Sequence, residues 1–538
     1  MKLQQTLTPK LNINTQLEQK KKPSQPSFKG LEVFSPFLMF LETNQAWGAT
    51  AIDLSSMVIP RTAVDFTRGR DAGIETGRRE AASTLNTGLI GAYGLAAAWM
   101  FSHAVNKRFD IKANKMFFND KMLEILAQAN IEHGNIKAST GNLNNYLSEI
   151  FGNVRGFNPL FDDKKLIDKN GWVAINKSTQ NNIIKKLSEE LSLGSDKISK
   201  ETKAYLKAVI TDATGASSKF KIEKTINGKP EMVVFSLDDS IENIYKISKA
   251  FMNDKVAQTF NLKNIDQNIF IKEIKKLNKK TSILGLAIAS LIGISAQPLN
   301  MYLTKKQTGK EGFVGVEGRE PDRSDGFKIL KTAIATTVAL GVLAAIGKNP
   351  SEIFRKVQFK GIIPVIDQFK LVYGMTIVSR LFSARDKNEL RESSIKDSLG
   401  FANWFILGGF VSKLVAAGVE KLDKFKGEKI IRYNEAENGK GWFNRLTKSS
   451  ITTYEEALHA GLKKAGISTI KTNGIAKTFK EMLKEAPQAT KTKIKYLQLI
   501  QLAGYLYSGL VLGIGIPKLN IAITNAMENK NKKASIQK

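Results

Sequence analysis

Residues 281–304, TSILGLAIASLIGISAQPLNMYLT, run for 24 residues without a charged side chain. About 20 such residues, wound as a helix, cross the hydrocarbon core of a bilayer. Two further uncharged runs reach that length: 81–102 (AASTLNTGLIGAYGLAAAWMFS) and 496–517 (YLQLIQLAGYLYSGLVLGIGIP), 22 residues each. Shorter runs at 332–347 and 398–412, of 16 and 15 residues, suffice only if flanking lysines snorkel to the headgroups. Residues 34–59 and 362–382 are apolar but interrupted, by Glu42 and Asp53 in the first and by Asp367 and Lys370 in the second. That pattern fits interfacial, re-entrant or bundle-buried helices. Core helices of a large soluble α-protein would explain the short runs. Three runs of 22 or more favour a membrane.

The long runs share small residues four apart: Gly285, Ala289 and Gly293; Ala333, Thr337, Gly341 and Ala345; Gly509 and Gly513. Residues so spaced stack on one helix face and let backbones approach closely. A tight helical bundle is expected, with homo-oligomerisation through such faces as a further expectation.

Composition narrows the function classes. The 538 residues hold 81 Lys+Arg against 50 Asp+Glu, a net charge of +31, with no cysteine. No disulfide scaffold, zinc ribbon, cysteine-ligated cluster or thiol nucleophile is available. Lysine supplies most of the charge without a nucleic-acid motif, so no nucleic-acid partner is expected. A bilayer, with anionic lipid headgroups, is the expected partner. His103, His133 and His459 stand in separate segments, and no HExxH, GxSxG elbow or phosphate-binding loop occurs. Gly312, Gly315 and Gly318, in GFVGVEG, fail the dinucleotide spacing and read as loop turns. No enzyme and no cofactor are expected.

The chain also repeats itself. Phe-Lys-Gly at 28–30 and at 359–361 opens an apolar stretch. Arg70-Asp71 is echoed by Arg385-Asp386, and Arg79-Glu80, with Gly88, by Arg391-Glu392, with Gly400. Pro298-Leu299-Asn300 before Thr304 is echoed by Pro517-Lys518-Leu519-Asn520 before Thr524. Each half then comprises two spans with a polar insertion between them. If 332–347 crosses alone, the halves are oppositely oriented; if 362–382 crosses too, they are parallel.

The expected fold is an all-α polytopic membrane helical bundle built from two tandem related halves, with mostly helical extramembrane insertions and one small β-hairpin. A disordered basic tail, 1–27, precedes a first-half amphipathic segment, Arg-rich juxtamembrane stretch and membrane helix, 28–105. Then follow a soluble insertion, 106–280, and membrane helices with a linker, 281–358. The second half has an amphipathic segment and membrane helix, 359–418, a soluble insertion, 419–494, and a membrane helix, 495–525, before a basic tail, 526–538. In the first insertion, 220–226 and 232–236 flank Asn227-Gly228, a type I′ turn signal. Asp238–Asp239 is a candidate N-cap for the helix that follows.

The Phe-Lys-Gly opening, IPRTAVDFTRGRDAGIETGRRE at 59–80 and ARDKNELRESSIKDSLGFANW at 384–404 carry a family resemblance. The chain resembles uncharacterised multi-spanning membrane proteins of gut-dwelling, non-photosynthetic relatives of cyanobacteria. The resemblance implies a bacterial membrane location and supplies no activity.

One stretch invites a sharper reading. No lysine occurs between Lys29 and Lys107, yet Arg61, Arg68, Arg70, Arg78 and Arg79 crowd one segment with Asp71, Glu75 and Glu80. Arginine's planar fork pairs with carboxylates and phosphates in a way lysine cannot copy. Three roles fit: an ion-pair cluster locking the segment to Arg385, Asp386, Arg391 and Glu392; a headgroup or other anion site; or a gate in an ion path. The leading expectation is a non-enzymatic envelope scaffold. A repeat-built transporter or channel and an anionic-lipid-binding protein are the alternatives.

Overall fold

A computed structural model describes residues 37–38, 41, 45–117, 119–261, 264–361, 363–407, 409–422 and 429–536. The tail 1–27 and the first Phe-Lys-Gly lie outside them.

The chain is mostly helical. Helix α1 (Gln45–Asp53) passes through a π-helical turn, Leu54–Val58, into α2 (Ile59–Phe66), with Pro60 in its first turn. Helices α3 (Arg70–Gly88) and α4 (Ile90–Phe109) follow, bent by 50° at their junction. The uncharged run 81–102 is therefore broken rather than straight. Gly88 packs against Thr50, where a Cβ would sit 2.7 Å from the hydroxyl.

The first insertion carries α5 (Asp120–Glu132), α6 (Thr140–Asn153), β1 (Val154–Phe157), β2 (Trp172–Ala174), α7 (Lys177–Ser192), α8 (Lys200–Thr214), β3 (Phe220–Ile226), β4 (Lys229–Phe235) and α9 (Leu237–Phe251). Asn119, Ser139, Asn176 and Ser199 each cap the following helix with a side-chain oxygen. The cap of α9 is Ser236, ahead of the expected Asp238–Asp239.

The single hairpin expected here is corrected to a four-stranded antiparallel sheet, order β2-β1-β3-β4. Asn227 and Gly228 do form its turn, both at positive φ. Strands β1 and β2 have four and three residues, too few for alternation to register. Gly156 in β1 is needed because a Cβ would lie 2.7 Å from Thr214.

Helix α10 (Ile269–Thr308) is 40 residues long, about 60 Å at 1.5 Å per residue. Its first turns bury Phe270, Ile271, Ile274 and Leu277 in the insertion core beside Tyr146, Phe251 and Phe220. Its remaining turns hold the uncharged run 281–304. One unbroken helix thus belongs to both bodies. Gly285 lies against Gly94 of α4, where a Cβ would be 3.1 Å from the Gly94 Cα.

Helix α11 (Asp325–Ile346) leads through α12 (Pro350–Val357) to α13 (Ile366–Ser383). α13 runs antiparallel to α11 along its length. Lys331 Nζ donates to Ala384 O at one end, and Lys370 Nζ to Ala345 O at the other, each at 3.2 Å. α13 therefore traverses the bundle, and the chain leaves it on the side where it entered α3.

Helices α14 (Lys387–Phe401) and α15 (Phe410–Val419) are separated by a π-helical turn and Gly409 at φ 70. In the second insertion, β5 (Ile431–Arg432) pairs with β6 (Ser450–Ile451) beside α16 (Tyr454–Lys464) and α17 (Phe479–Glu485). Its core joins Leu458, Leu462 and Met482 to Ala416 and Val419 of α15 and to Ile494, Leu497 and Ile500. The last three belong to α18 (Gln488–Tyr507), which continues through a π-helical segment into α19 (Ile516–Ile536). The basic tail is thus helical to Ile536, tied down where Glu528 accepts from Asn388 at 2.7 Å and pairs with Arg319 at 2.5 Å.

The two insertions meet. His459 Nδ1 lies 2.6 Å from Asp212, Ser217 N donates to Glu456 at 3.0 Å, and Lys207 pairs with Glu455 at 3.2 Å.

Among the described residues, three helices are long and apolar enough to cross a membrane: Ile269–Thr308, Asp325–Ile346 and Gln488–Lys530. The bent pairs α3–α4 and α14–α15 bring the number to five if each is one span. Large apolar side chains are exposed along them, among them Trp99, Leu291, Ile329, Leu340 and Leu510.

Candidate functional site

The face of α3 places Glu75 and Arg79 one turn apart, and Thr76 and Glu80 likewise. Helix α14 does the same with Glu389, Glu392, Lys396 and Asp397. The turn at Gly69 (φ 135) folds α2 back on α3, bringing Arg61, Asp65 and Arg68 over that face. α13 carries Arg380 in its last turn, and Asp386 caps α14 by accepting from the Glu389 N–H at 2.8 Å. These segments close on one another at the end of the bundle away from the insertions.

The outer layer consists of two crossed pairs. Arg68 binds both oxygens of Glu392, at 2.7 and 3.0 Å. Arg385 binds both oxygens of Glu75, at 2.5 and 3.3 Å, and Glu389 at 2.9 Å. Above them sits Phe313, with the Arg68 and Arg385 guanidinium carbons 5.0 and 5.8 Å from its ring centroid. Gly315, beside it, accepts from Arg68 Nε at 3.1 Å, and a Cβ there would sit 2.6 Å from the guanidinium. The glycine loop 312–318 is a close-approach lid on this layer.

The inner layer centres on Glu80, which accepts from Lys396 at 3.0 Å, Arg79 and Arg380 at 3.3 Å, and Arg61 at 3.4 Å. Asp397 accepts from Arg380 at 2.9 Å and lies 3.8 Å from Arg61. Arg61 is 1% exposed and Asp397 fully buried. Across both layers six cations face six carboxylates, with Asp65 held by Thr76 at 2.5 Å and near Arg68. Between the layers is a cavity of about 30 Å³, room for one or two waters.

Second-row contacts repeat on the two sides. Asn300 donates to Glu75 O at 2.9 Å, and Asn520 to Glu392 O at 3.3 Å. Arg78 reaches Thr304 at 2.8 Å, and Arg391 reaches Thr524 at 2.5 Å.

Of the arginine-cluster residues singled out in the sequence, the fold gathers Arg61, Arg68, Glu75, Arg79, Glu80, Arg385 and Glu392. Arg78, Arg391 and Asp386 stand at its rim, Asp386 being 3.4 Å from Arg319. Arg70 is exposed, and Asp71 pairs outward with Lys310 at 2.7 Å. Sequence reasoning missed Arg380, Glu389, Lys396 and Asp397. The signal for the first was a lone arginine closing an apolar stretch; for the last two it was helical spacing from Glu392.

Five of the six carboxylates accept from a cation and the sixth, Asp65, lies 3.7 Å from Arg68, so the cluster's chemistry is mutual neutralisation. Among the described residues, no group of three or more His, Cys, Asp or Glu could hold a metal ion. No family model, curated protein or solved structure matches the chain.

Proposed function

We propose that the chain is a non-enzymatic, multi-pass scaffold of a bacterial membrane, in which two related halves are clamped at one face and carry joined insertions on the other. The observation that carries this is the pair of crossed bridges, Arg68–Glu392 and Arg385–Glu75. They imply a register for the duplication. Arg68, Glu75 and Glu80 correspond to Arg385, Glu392 and Asp397, at one constant separation. Asn300 and Thr304 correspond to Asn520 and Thr524. The dipeptide register, Arg70-Asp71 with Arg385-Asp386, is less satisfactory because it equates an exposed arginine with a buried one.

The traverse of α13 favours halves of the same polarity, with the clamp at a pseudo-twofold axis along the membrane normal. Small-residue faces on α10 and α18–α19 are taken up inside the bundle. That of α11, where Gly341 has open space, is the face left for self-association.

Transport is the second reading, because ionisable groups buried beside apolar spans are costly and often mark ion paths. The small cavity and the balance of six cations against six carboxylates favour a lock. The chain has no cysteine, so spin labels can be placed at will. Arg70→Cys with Lys387→Cys, both exposed, should give one narrow distance distribution in nanodiscs. Two populations that shift with an ion or proton gradient would favour transport.

A further inference from the structure

The clamp's arginines are buried, so it does not present a headgroup site. A different basic cleft lies at the other end of the bundle. It is a cavity of about 810 Å³ where α4 enters the first insertion, walled by the end of α4, the turn at 110–116, the end of α7 and the face of α9. Five lysines line it: Lys107, Lys112, Lys115, Lys246 and Lys249.

The acids present pair with only three of them. Asp196 engages Lys112 and Lys249, and Glu242 takes Lys246 at 2.7 Å. Lys249 also donates to Gly194 O at 2.6 Å, which fixes it at the wall. Asp110, the remaining lining acid, caps α4 through its backbone at φ 54, and its single carboxylate leaves the cleft basic. Lys107 and Lys115 are exposed and make no ion pair among the described residues. Two uncommitted ammonium groups therefore face one cleft.

Its depth is informative. α4 is apolar from Ile90 to Phe101 and turns basic at Lys107 and Arg108. Trp99 and Met100 are 73% and 59% exposed, and Lys107 is two turns beyond, about 12 Å along the axis. An exposed tryptophan at the end of an apolar helix, followed by lysines, is the signature of the headgroup layer. Helix α10 enters at the same level with Lys275, Lys276, Lys279 and Lys280.

We propose that this cleft binds the phosphodiester of an anionic phospholipid, its acyl chains lying along α4 past Trp99. Lysine suits the role, as a compact point charge with rotatable donors. The assignment rests on the membrane reading above, and the test separates the two. Full-length protein is placed in nanodiscs of phosphatidylcholine mixed with phosphatidylglycerol, extracted, and its retained lipids counted by native mass spectrometry. The wild type should retain phosphatidylglycerol preferentially. Lys107→Glu with Lys115→Glu should cut that retention by about tenfold, while Lys164→Glu with Lys165→Glu, the same charge change on an exposed insertion loop, should leave it intact.

Equal losses in both double variants would reduce the effect to net charge and overturn the site. So would displacement of the lipid by inorganic phosphate as readily as by soluble glycerophosphoglycerol, since the occupant would then be a free anion. Failure of the wild type to enter nanodiscs would instead contradict the membrane reading itself.

Discussion

Arg385 closes on Glu75 with two guanidinium nitrogens, at 2.5 and 3.3 Å, although 310 residues separate them in sequence. From the turn ahead of α14, the same arginine also grips Glu389 in the first turn of that helix, at 2.9 Å. A guanidinium shared between two buried carboxylates is satisfied only while both helices stay docked. Removing one partner of such a pair leaves an uncompensated charge, a larger loss than the bridge's net worth.

Arg385→Ala should therefore lower stability by about 3 kcal/mol, read as a fall in melting temperature in neutral detergent. Arg385→Lys should recover only part, because an ammonium cannot span both carboxylates. Arg61→Lys should cost less, since Arg61 donates through Nη1 alone, to Glu80 at 3.4 Å. Equal losses for Arg61→Lys and Arg385→Lys would contradict the geometry.

The glycine loop gives a steric test. Gly315→Ala would set a Cβ 2.5 Å from the Phe313 ring and 2.6 Å from Arg68, and should destabilise by about 1–3 kcal/mol. Gly341→Ala, in open space on α11, should be neutral or stabilising by up to about 1 kcal/mol. Thermal melts of the two variants side by side decide it; the reverse order would refute the lid.

Topology follows from the antiparallel run of α13 on α11. Cysteines introduced at Lys164 and Lys464, on the two insertions, should react with an impermeant maleimide from one side of sealed vesicles. A cysteine at Arg323, exposed in the loop ahead of α11, should react from the other. Labelling of 164 and 464 from opposite sides would mean inverted halves.

The contact between insertions gives a fourth expectation. Asp212 holds His459 at 2.6 Å and also accepts from the Thr469 hydroxyl. Asp212→Asn should lower the melting temperature of the full chain. The same substitution should leave an isolated 106–280 fragment unaffected, because neither partner is present there. That fragment should melt cooperatively, having its own aromatic core.

Much of this was legible in residue patterns. Uncharged length located α10, α11 and α18–α19, and the lysine gap around Arg61–Arg79 pointed to the clamp. What stayed hidden has physical reasons. The bend at Leu89 breaks an uncharged run without any proline, beside Gly88 where it packs closely on Thr50. The π-helical turns at 54–58 and 402–406 shift the helical phase, so spacing across them misleads. Identical dipeptides suggest one register for the proposed duplication, whereas the crossed bridges suggest another, relating Glu80 to Asp397 and Arg79 to Lys396, which share charge rather than identity. Short strands such as β2 leave no periodicity to read.

If the crossed bridges lock α3 to the α13–α14 corner, a double-mutant cycle on one bridge must show coupling. Glu75→Met, Arg385→Met and the double variant are compared by thermal unfolding in the same detergent. Each single change should be costly, and the double variant should lose clearly less than the two combined, because Glu75 is no longer left buried without its guanidinium; the loss at Glu389 is common to both Arg385 variants and cancels in the cycle. Additive losses would show that Arg385 and Glu75 do not depend on each other, and would contradict the clamp.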